Sequence, residues 1–229
     1  QLITRLISSE TELPSEKLRS GNLQPFEWEH LHAKIKEIED ADIYIDDTPA
    51  LSIFDLRAKC RRLVAQNNVK IVIIDYLQLM TGKSNKFNRE QEISSISRSL
   101  KSIAKELDIP IIALSQLSRA VEMRGGDAKR PILSDLRESG AIEQDADLVS
   151  FIYRPEYYGI ETWDTRPETA CEGQAEFNIA KHRNGPLDKI RLKFNPSLAK
   201  FSSINENIFQ NEYNSKMNHD EISSENDPY

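Results

Sequence analysis

Apolar residues recur along this chain with two different periods. Residues 70–80 read Lys-Ile-Val-Ile-Ile-Asp-Tyr-Leu-Gln-Leu-Met, and their β-branched run without polar alternation predicts a strand buried on both faces, as in a parallel sheet covered by helices. Residues 111–116, Ile-Ile-Ala-Leu-Ser-Gln, predict a second fully buried strand. Between them Ile93, Ile96, Leu100, Ile103 and Leu107 fall three and four apart, predicting an amphipathic helix that Asp108 and Pro110 terminate. Strand, helix and strand make a right-handed βαβ unit. Upstream, apolar positions 2, 3, 6 and 7 predict a helix, and Trp28, Leu31, Ile35 and Ile38 predict another whose first turn is primed by Pro25 and Glu27. Residues 43–45 predict a short strand ending in Asp46 and Asp47, a pair of acids that either caps the turn before Pro49 or serves a function. Ser52 and Asp55 open a helix with Ile53, Leu56, Cys60 and Leu63 on one face and Arg57, Lys59, Arg61 and Arg62 on the solvated remainder. Downstream, residues 148–153 predict a third strand and residues 176–194 a β-hairpin turning at Asn184-Gly185-Pro186.

Polar residues at the ends of these elements carry the candidate chemistry. Asp75 falls at the carboxyl end of its strand, where open α/β sheets bind ligands. A carboxylate emerging there beside bound phosphates can hold Mg²⁺ directly or through water, which is the Walker B arrangement. The alternative is an Asp that caps the next helix. The βαβ unit brings Gln116 to the same edge, where it can sense a γ-phosphate through a hydrogen bond that exists only before hydrolysis, or else satisfy local backbone groups. Gly82-Lys83-Ser84 is not a phosphate loop, because position 77 is Leu where that pattern needs Gly, and the segment follows the Asp75 strand. Residues 118–131 form a flexible basic loop with Arg119, Arg124, Lys129 and Arg130. Gly140, between short helical pieces, lets backbone N–H groups face outward to phosphates without reading sequence. At the hairpin tip Lys181 and Arg183 fall two apart on one face, and Lys189, Arg191 and Lys193 alternate with Ile190, Leu192 and Phe194 on the return strand.

Composition narrows the class. The 229 residues, 38% hydrophobic, suit one sizeable domain plus a tail. No apolar run is long enough to span a membrane and no signal-peptide pattern opens the chain, so a cytoplasmic protein is expected. Cys60 and Cys171 have no Cys or His at metal-ligand spacing and are read as reduced. The net charge of -7 argues against a nucleic-acid partner only until it is divided: from Ser202 onward six acids face one lysine, holding -5 and leaving residues 1–201 at -2. A local basic patch for nucleic acid stays open.

Taken together, residues 73–80, 113–119, 133–147 (Leu-Ser-Asp-Leu-Arg-Glu-Ser-Gly-Ala-Ile-Glu-Gln-Asp-Ala-Asp) and 181–186 (Lys-His-Arg-Asn-Gly-Pro) resemble, in order and spacing, the C-terminal RecA-type motor of DnaB-type replicative helicases. The similarity runs over residues 1–201. It implies an α/β, RecA-like parallel-sheet ATPase core of the P-loop NTPase class with a C-terminal β-hairpin region. It also implies a homo-hexamer that uses ATP and Mg²⁺ to move 5'–3' on single-stranded DNA, with primase and a helicase loader as partners in the primosome, at the replication fork of the nucleoid. Residue by residue, Asp75 is similar to the Walker B acid that organises Mg²⁺, and Gln116 to the glutamine linking nucleotide to DNA-facing loops. Arg137, Glu138 and Gly140 match the loop that tracks DNA phosphates; Lys181 and Arg183 match the pair that reaches a neighbouring subunit's ATP, Arg183 as arginine finger.

In the family a Walker A loop and a strand ending in the water-activating Glu precede the part matched here. The expectation is therefore a motor fragment incomplete at its N-terminus, from a truncation, a split gene or an intein, that hydrolyses no ATP alone. Residues 202–229 are expected to be an acidic, disordered tail. Two alternatives stand beside this reading: another RecA-like ATPase such as a recombinase or a circadian-clock ATPase, and a non-catalytic assembly fragment that donates Arg183 and Lys181 in trans.

Overall fold

Two neighbouring helices and a pair of parallel strands build the main core. The computed structural model describes residues 2–82, 89–125, 129–164 and 168–204, without the side chains of residues 137–139. Lys83 and Ser84, the middle of the basic loop, the Arg137 and Glu138 side chains and the acidic tail from residue 205 therefore lie outside the described residues.

The chain opens with α1 (Leu2–Thr11), α2 (Ser15–Ser20) and α3 (Pro25–Glu39). Pro25 occupies the first turn of α3, and Glu27 Oε2 accepts the Gln24 N–H at 2.8 Å, so both expected priming residues act there. These helices hold together through polar contacts as much as apolar ones: Ser8 Oγ donates to the Leu13 carbonyl at 2.6 Å, and His30 Nε2 lies 2.9 Å from the Thr11 carbonyl. Residues 43–45 are a correction. They form no strand, and Ile43, Tyr44 and Ile45 are exposed, because no described strand runs beside them and β-propensity cannot replace a pairing partner. The turn expected after them is present, with Asp46 Oδ1 accepting the Thr48 N–H at 3.1 Å.

Helix α4 (Ile53–Asn67) starts at Ser52, whose Oγ accepts the Asp55 N–H at 3.2 Å and donates to Asp55 Oδ2 at 2.6 Å. Its Arg57 and Arg61 pair with Glu106 on α5 (Arg89–Leu107), so the face expected to be merely solvated cross-links the two helices. Between them, Ile53, Leu56, Cys60, Ile93, Ile96, Leu100 and Ile103 close over Ile74, Leu77 and Met80.

Strand β1 (Val72–Ile74) pairs in parallel with β2 (Ile111–Ala113), in the register Val72↔Ile111, Ile73↔Ile112 and Ile74↔Ala113. The βαβ connection is as expected, but the burial is not. Ile74 is covered, whereas Ile73 is 65% exposed and Ile71, Ile112 and Leu114 are exposed as well, since α4 and α5 lie on one face only. The β-branched run encodes burial on two faces; the described residues supply cover for one.

Strand β3 (Leu148–Tyr153) has the bounds expected and joins β4 (Gln174–His182), β5 (Asp188–Asn195) and β6 (Lys200–Ser203) in an antiparallel sheet, separate from the β1–β2 pair. Strand β6 carries the fold past residue 201. The β4–β5 turn holds Asn184-Gly185-Pro186, and a Cβ at Gly185 would meet the His182 ring at 2.2 Å, so a larger residue here has to push that ring aside. Leu136, Val149 and Phe151 form one small core beneath the sheet, and Tyr153, Trp163 and Cys171 another.

Candidate active site

The parallel register decides the first half of the site. Because Ile74 lies beside Ala113, the chain leaves both strands at the same edge, and the pairing continues as Leu114 N–H to the Ile74 carbonyl and Leu77 N–H to the Leu114 carbonyl, each at 2.9 Å. Asp75 and Gln116 exit there together. The Asp75 side chain is exposed, and among the described residues it makes no hydrogen bond or ion pair. The short helical turn after it, Leu77–Leu79, has no side-chain cap, so Asp75 is not serving as a helix cap.

Gln116 is likewise exposed, three residues beyond the end of β2, and its side chain bonds to nothing among the described residues. Its backbone is held instead. Gln78 Oε1 accepts the Gln116 N–H at 3.2 Å while Gln78 Nε2 donates to Ser115 Oγ at 3.0 Å. The Gln78 carbonyl accepts Arg89 Nη2, Arg89 pairs with Glu92, and Glu92 Oε1 accepts the Gly82 N–H at 2.7 Å. That Gly82 N–H, aided by Arg89, holds the Glu92 carboxyl below its ordinary range. Sequence reasoning missed Gln78 and Arg89. The available signal was a polar side chain at position 78 between buried Leu77 and Met80.

The second half lies where β4 meets α6 (Gly140–Asp145). A helix end leaves carbonyls unpaired, and here two cations fill them: Lys181 Nζ donates to the Glu143 carbonyl, and Arg183 Nη2 donates to the Gln144 carbonyl at 3.0 Å. Arg183 Nη1 also meets Asp147 Oδ1 at 3.0 Å, and its backbone N–H donates to the Asp147 carbonyl at 2.8 Å. Asp147 Oδ2 accepts Lys101 Nζ from α5. Lys101 first, and Arg183 with it, keeps the Asp147 carboxyl below its ordinary value. Lys181 and Arg183 are thus brought together, as expected, but against their own chain. Among the described residues no hydrogen bond or ion pair joins them to Asp75 or Gln116. Asp147 and Lys101 were not recognised as site residues from sequence.

Gly140 opens α6 with ordinary helical φ, and a Cβ there would meet nothing within 4 Å, so neither backbone nor packing demands glycine. In the loop expected to be flexible and basic, three of the described cations are engaged by the fold. Arg124 pairs with buried Asp135 at 2.5 Å, Lys129 lies over the Tyr158 ring, and Arg130 contacts Asp164 at 2.6 Å and Glu176 at 3.0 Å while its guanidinium covers the Tyr153 ring. Arg130 holds the Asp164 carboxyl down at about 2, and Asp164 in turn pushes the guanidinium up. These cations stabilise the fold, leaving Arg119 as the exposed one among the described residues of the loop. Among the described residues no three His, Cys, Asp or Glu side chains gather as a metal cluster, and no described helix is long and apolar enough to cross a membrane.

Comparison with known proteins identifies the family. Residues 1–203 match the family described as DnaB-like helicase C terminal domain. The replicative DNA helicase DnaB of Geobacillus stearothermophilus is 46% identical over 205 residues, covering 89% of this chain and 43% of that protein. A solved structure described as a DnaB-like replicative helicase and its interactions with primase superposes with a TM-score of 0.78 at 39% identity, covering 88% of this chain and 47% of that one. A second solved structure, described as an ATPase domain, gives the same TM-score and identity and is covered to 69%. The chain spans less than half the length of the curated relatives it matches. With a family match over nearly all of its described length, the chain belongs to the DnaB-like helicase C-terminal domain family.

Proposed function

We propose that this chain is the C-terminal part of the motor of a replicative DNA helicase, a homo-hexamer that uses ATP to translocate 5'–3' on single-stranded DNA and unwind duplex. The observation that supports it most is the register of Ile74 with Ala113, which leaves Asp75 and Gln116 at one edge with side chains that make no hydrogen bond or ion pair among the described residues. Mg²⁺ in such sites takes one or two carboxylates, with phosphates and water completing its shell, and the exposed Asp75 carboxylate fits that demand. When bound, Mg·ATP supplies the phosphoryl group whose transfer drives movement. Asp75 would hold the ion, and Gln116 would hydrogen-bond the terminal phosphate and pass its presence to the loop after β2. Lys181 and Arg183 act on the nucleotide of the adjacent subunit, where a guanidinium stabilises charge that develops on the phosphoryl group. Arg137, Glu138 and Gly140 would track the phosphates of the single strand. Residues 1–203, strand β6 included, form the motor part, and the residues after them an acidic tail. A cytoplasmic protein at the replication fork fits this work, and primase and a helicase loader are the partners it calls for; interactions with primase are described for one solved relative.

The test compares two variants in a complete helicase chain carrying this segment. Arg137→Ala weakens single-strand binding about equally for all sequences and lowers the log–log salt slope by roughly 0.7. Arg183→Ala leaves DNA binding intact in a non-hydrolysable nucleotide and lowers kcat by ~10³-fold or more. One common defect in both variants overturns the assignment of roles.

A further inference from the structure

Asp147 divides its two carboxylate oxygens between two cations on different elements. Oδ1 takes Arg183 Nη1 from the end of β4, and Oδ2 takes Lys101 Nζ from α5. The base of Arg183 is anchored, since its N–H donates to the Asp147 carbonyl at 2.8 Å, so its guanidinium can leave without moving the strand. Both partners are open to solvent, the Arg183 side chain at 48% and that of Asp147 at 54%. Exposed pairs of this kind shift an equilibrium by about fivefold or less, which makes the contact easy to exchange. Arg130 shows the opposite design: it is 16% exposed, shared by two carboxylates and laid on Tyr153. Such an arginine cannot leave. If Arg183 departs, Lys101 still neutralises Asp147, so no carboxylate is stranded.

We infer that Asp147, with Lys101 as its second cation, is a positioning residue that parks Arg183 against its own subunit until a neighbour's nucleotide draws the guanidinium across. The inference rests on the reading of Arg183 as a finger acting in trans. A nucleotide's terminal phosphate carries more charge than one carboxylate and accepts the guanidinium fork in two bonds, so it outcompetes the exposed pair. Parking withholds part of the population from the binding-competent state and weakens apparent affinity by the parked fraction. Lys101 sets that fraction: by sharing Asp147 it loosens the hold on Arg183. Gln144, whose carbonyl completes the parking site, belongs to the same short helix that Gly140 opens, so displacement of that helix also changes the hold.

The measurement is equilibrium affinity for a fluorescent non-hydrolysable ATP analogue in a complete hexameric helicase carrying this chain, with kcat for ATP measured beside it. Asp147→Asn should tighten binding by up to about fivefold. Lys101→Met should weaken it, by about twofold or more, because Asp147 then serves Arg183 alone. Both shifts should vanish in an Arg183→Ala background, and Asp147→Glu should bind like the unaltered protein. A structural role for Asp147 and Lys101 would move both variants in the same direction and persist without Arg183; either outcome overturns the inference. If Asp147→Asn does not assemble, Lys101→Met with and without Arg183 decides. If Arg183→Ala leaves kcat unchanged, the trans-finger reading fails and takes the inference with it. If Arg183→Ala lowers kcat while Asp147→Asn and Lys101→Met leave affinity unmoved, parking alone fails.

Discussion

Gln78 brackets the backbone of Gln116: its Oε1 accepts the Gln116 N–H at 3.2 Å, and its Nε2 donates to the adjacent Ser115 Oγ at 3.0 Å. One side chain after β1 therefore sets the position of the loop after β2, and among the described residues the Gln116 side chain itself makes no hydrogen bond.

Gln78→Ala should cost about 1–2 kcal/mol, two net hydrogen bonds in a half-buried setting, and should slow ATP hydrolysis in the complete helicase by more than its stability loss explains. Thermal unfolding and steady-state kcat check this together. A lowered melting temperature with unchanged kcat would remove Gln78 from the site and leave it a structural brace.

Arg130→Met should be among the most destabilising single changes. It leaves Glu176, whose side chain is 4% exposed, without its cation, and stranding a buried charge costs about 3–5 kcal/mol. Urea unfolding measures the loss. Arg119→Ala, at an exposed position in the same loop, is the control and should stay within about 0.5 kcal/mol of the unaltered protein.

Acid should weaken the same knot. Arg130 holds Asp164 at about 2, below the ordinary 3.8, and a depressed carboxyl stabilises the folded state above its unfolded pKa and loses that contribution as pH falls through its folded one. The urea midpoint should therefore hold down to about pH 4 and fall between there and about 2. Asp164→Asn should flatten part of that fall. Because the Asp164 side chain is 38% exposed, solvent screens the pair and the flattening is modest.

Gly185→Ala should force the His182 ring away from the turn, breaking its contact with the Pro186 carbonyl at 3.2 Å. A cost of about 1 kcal/mol is expected, from the lost hydrogen bond. In a His182→Ala background the same change should cost less, since the ring that it meets is gone. Equal costs in both backgrounds, read by a double-mutant cycle, would show that the turn rejects alanine for another reason.

The local signals in the amino-acid sequence were sufficient for the elements with their own period or cap. The three- and four-residue spacing from Ile93 to Leu107 set α5, Pro25 and Glu27 set the start of α3, and the apolar run of residues 148–153 set β3. Parallel pairing of β1 with β2 followed from the intervening helix, and with it the shared edge of Asp75 and Gln116. Periodicity failed where the outcome depended on a distant partner. Residues 43–45 have strand-forming side chains but no neighbour to pair with among the described residues, and Ile73 belongs to a run suited to burial on two faces yet stays exposed on the face that α4 and α5 leave open. Charge was the least legible. Arg130 and Arg183 both read as basic residues near a site, but tertiary structure gives one to two acids and an aromatic ring and the other to a single exposed carboxylate. A sequence states that a side chain is charged; only the folded chain brings Glu176, 46 residues away, against Arg130, and Lys101, also 46 residues away, against Asp147, and those long-range contacts decide which cations are fixed and which can move.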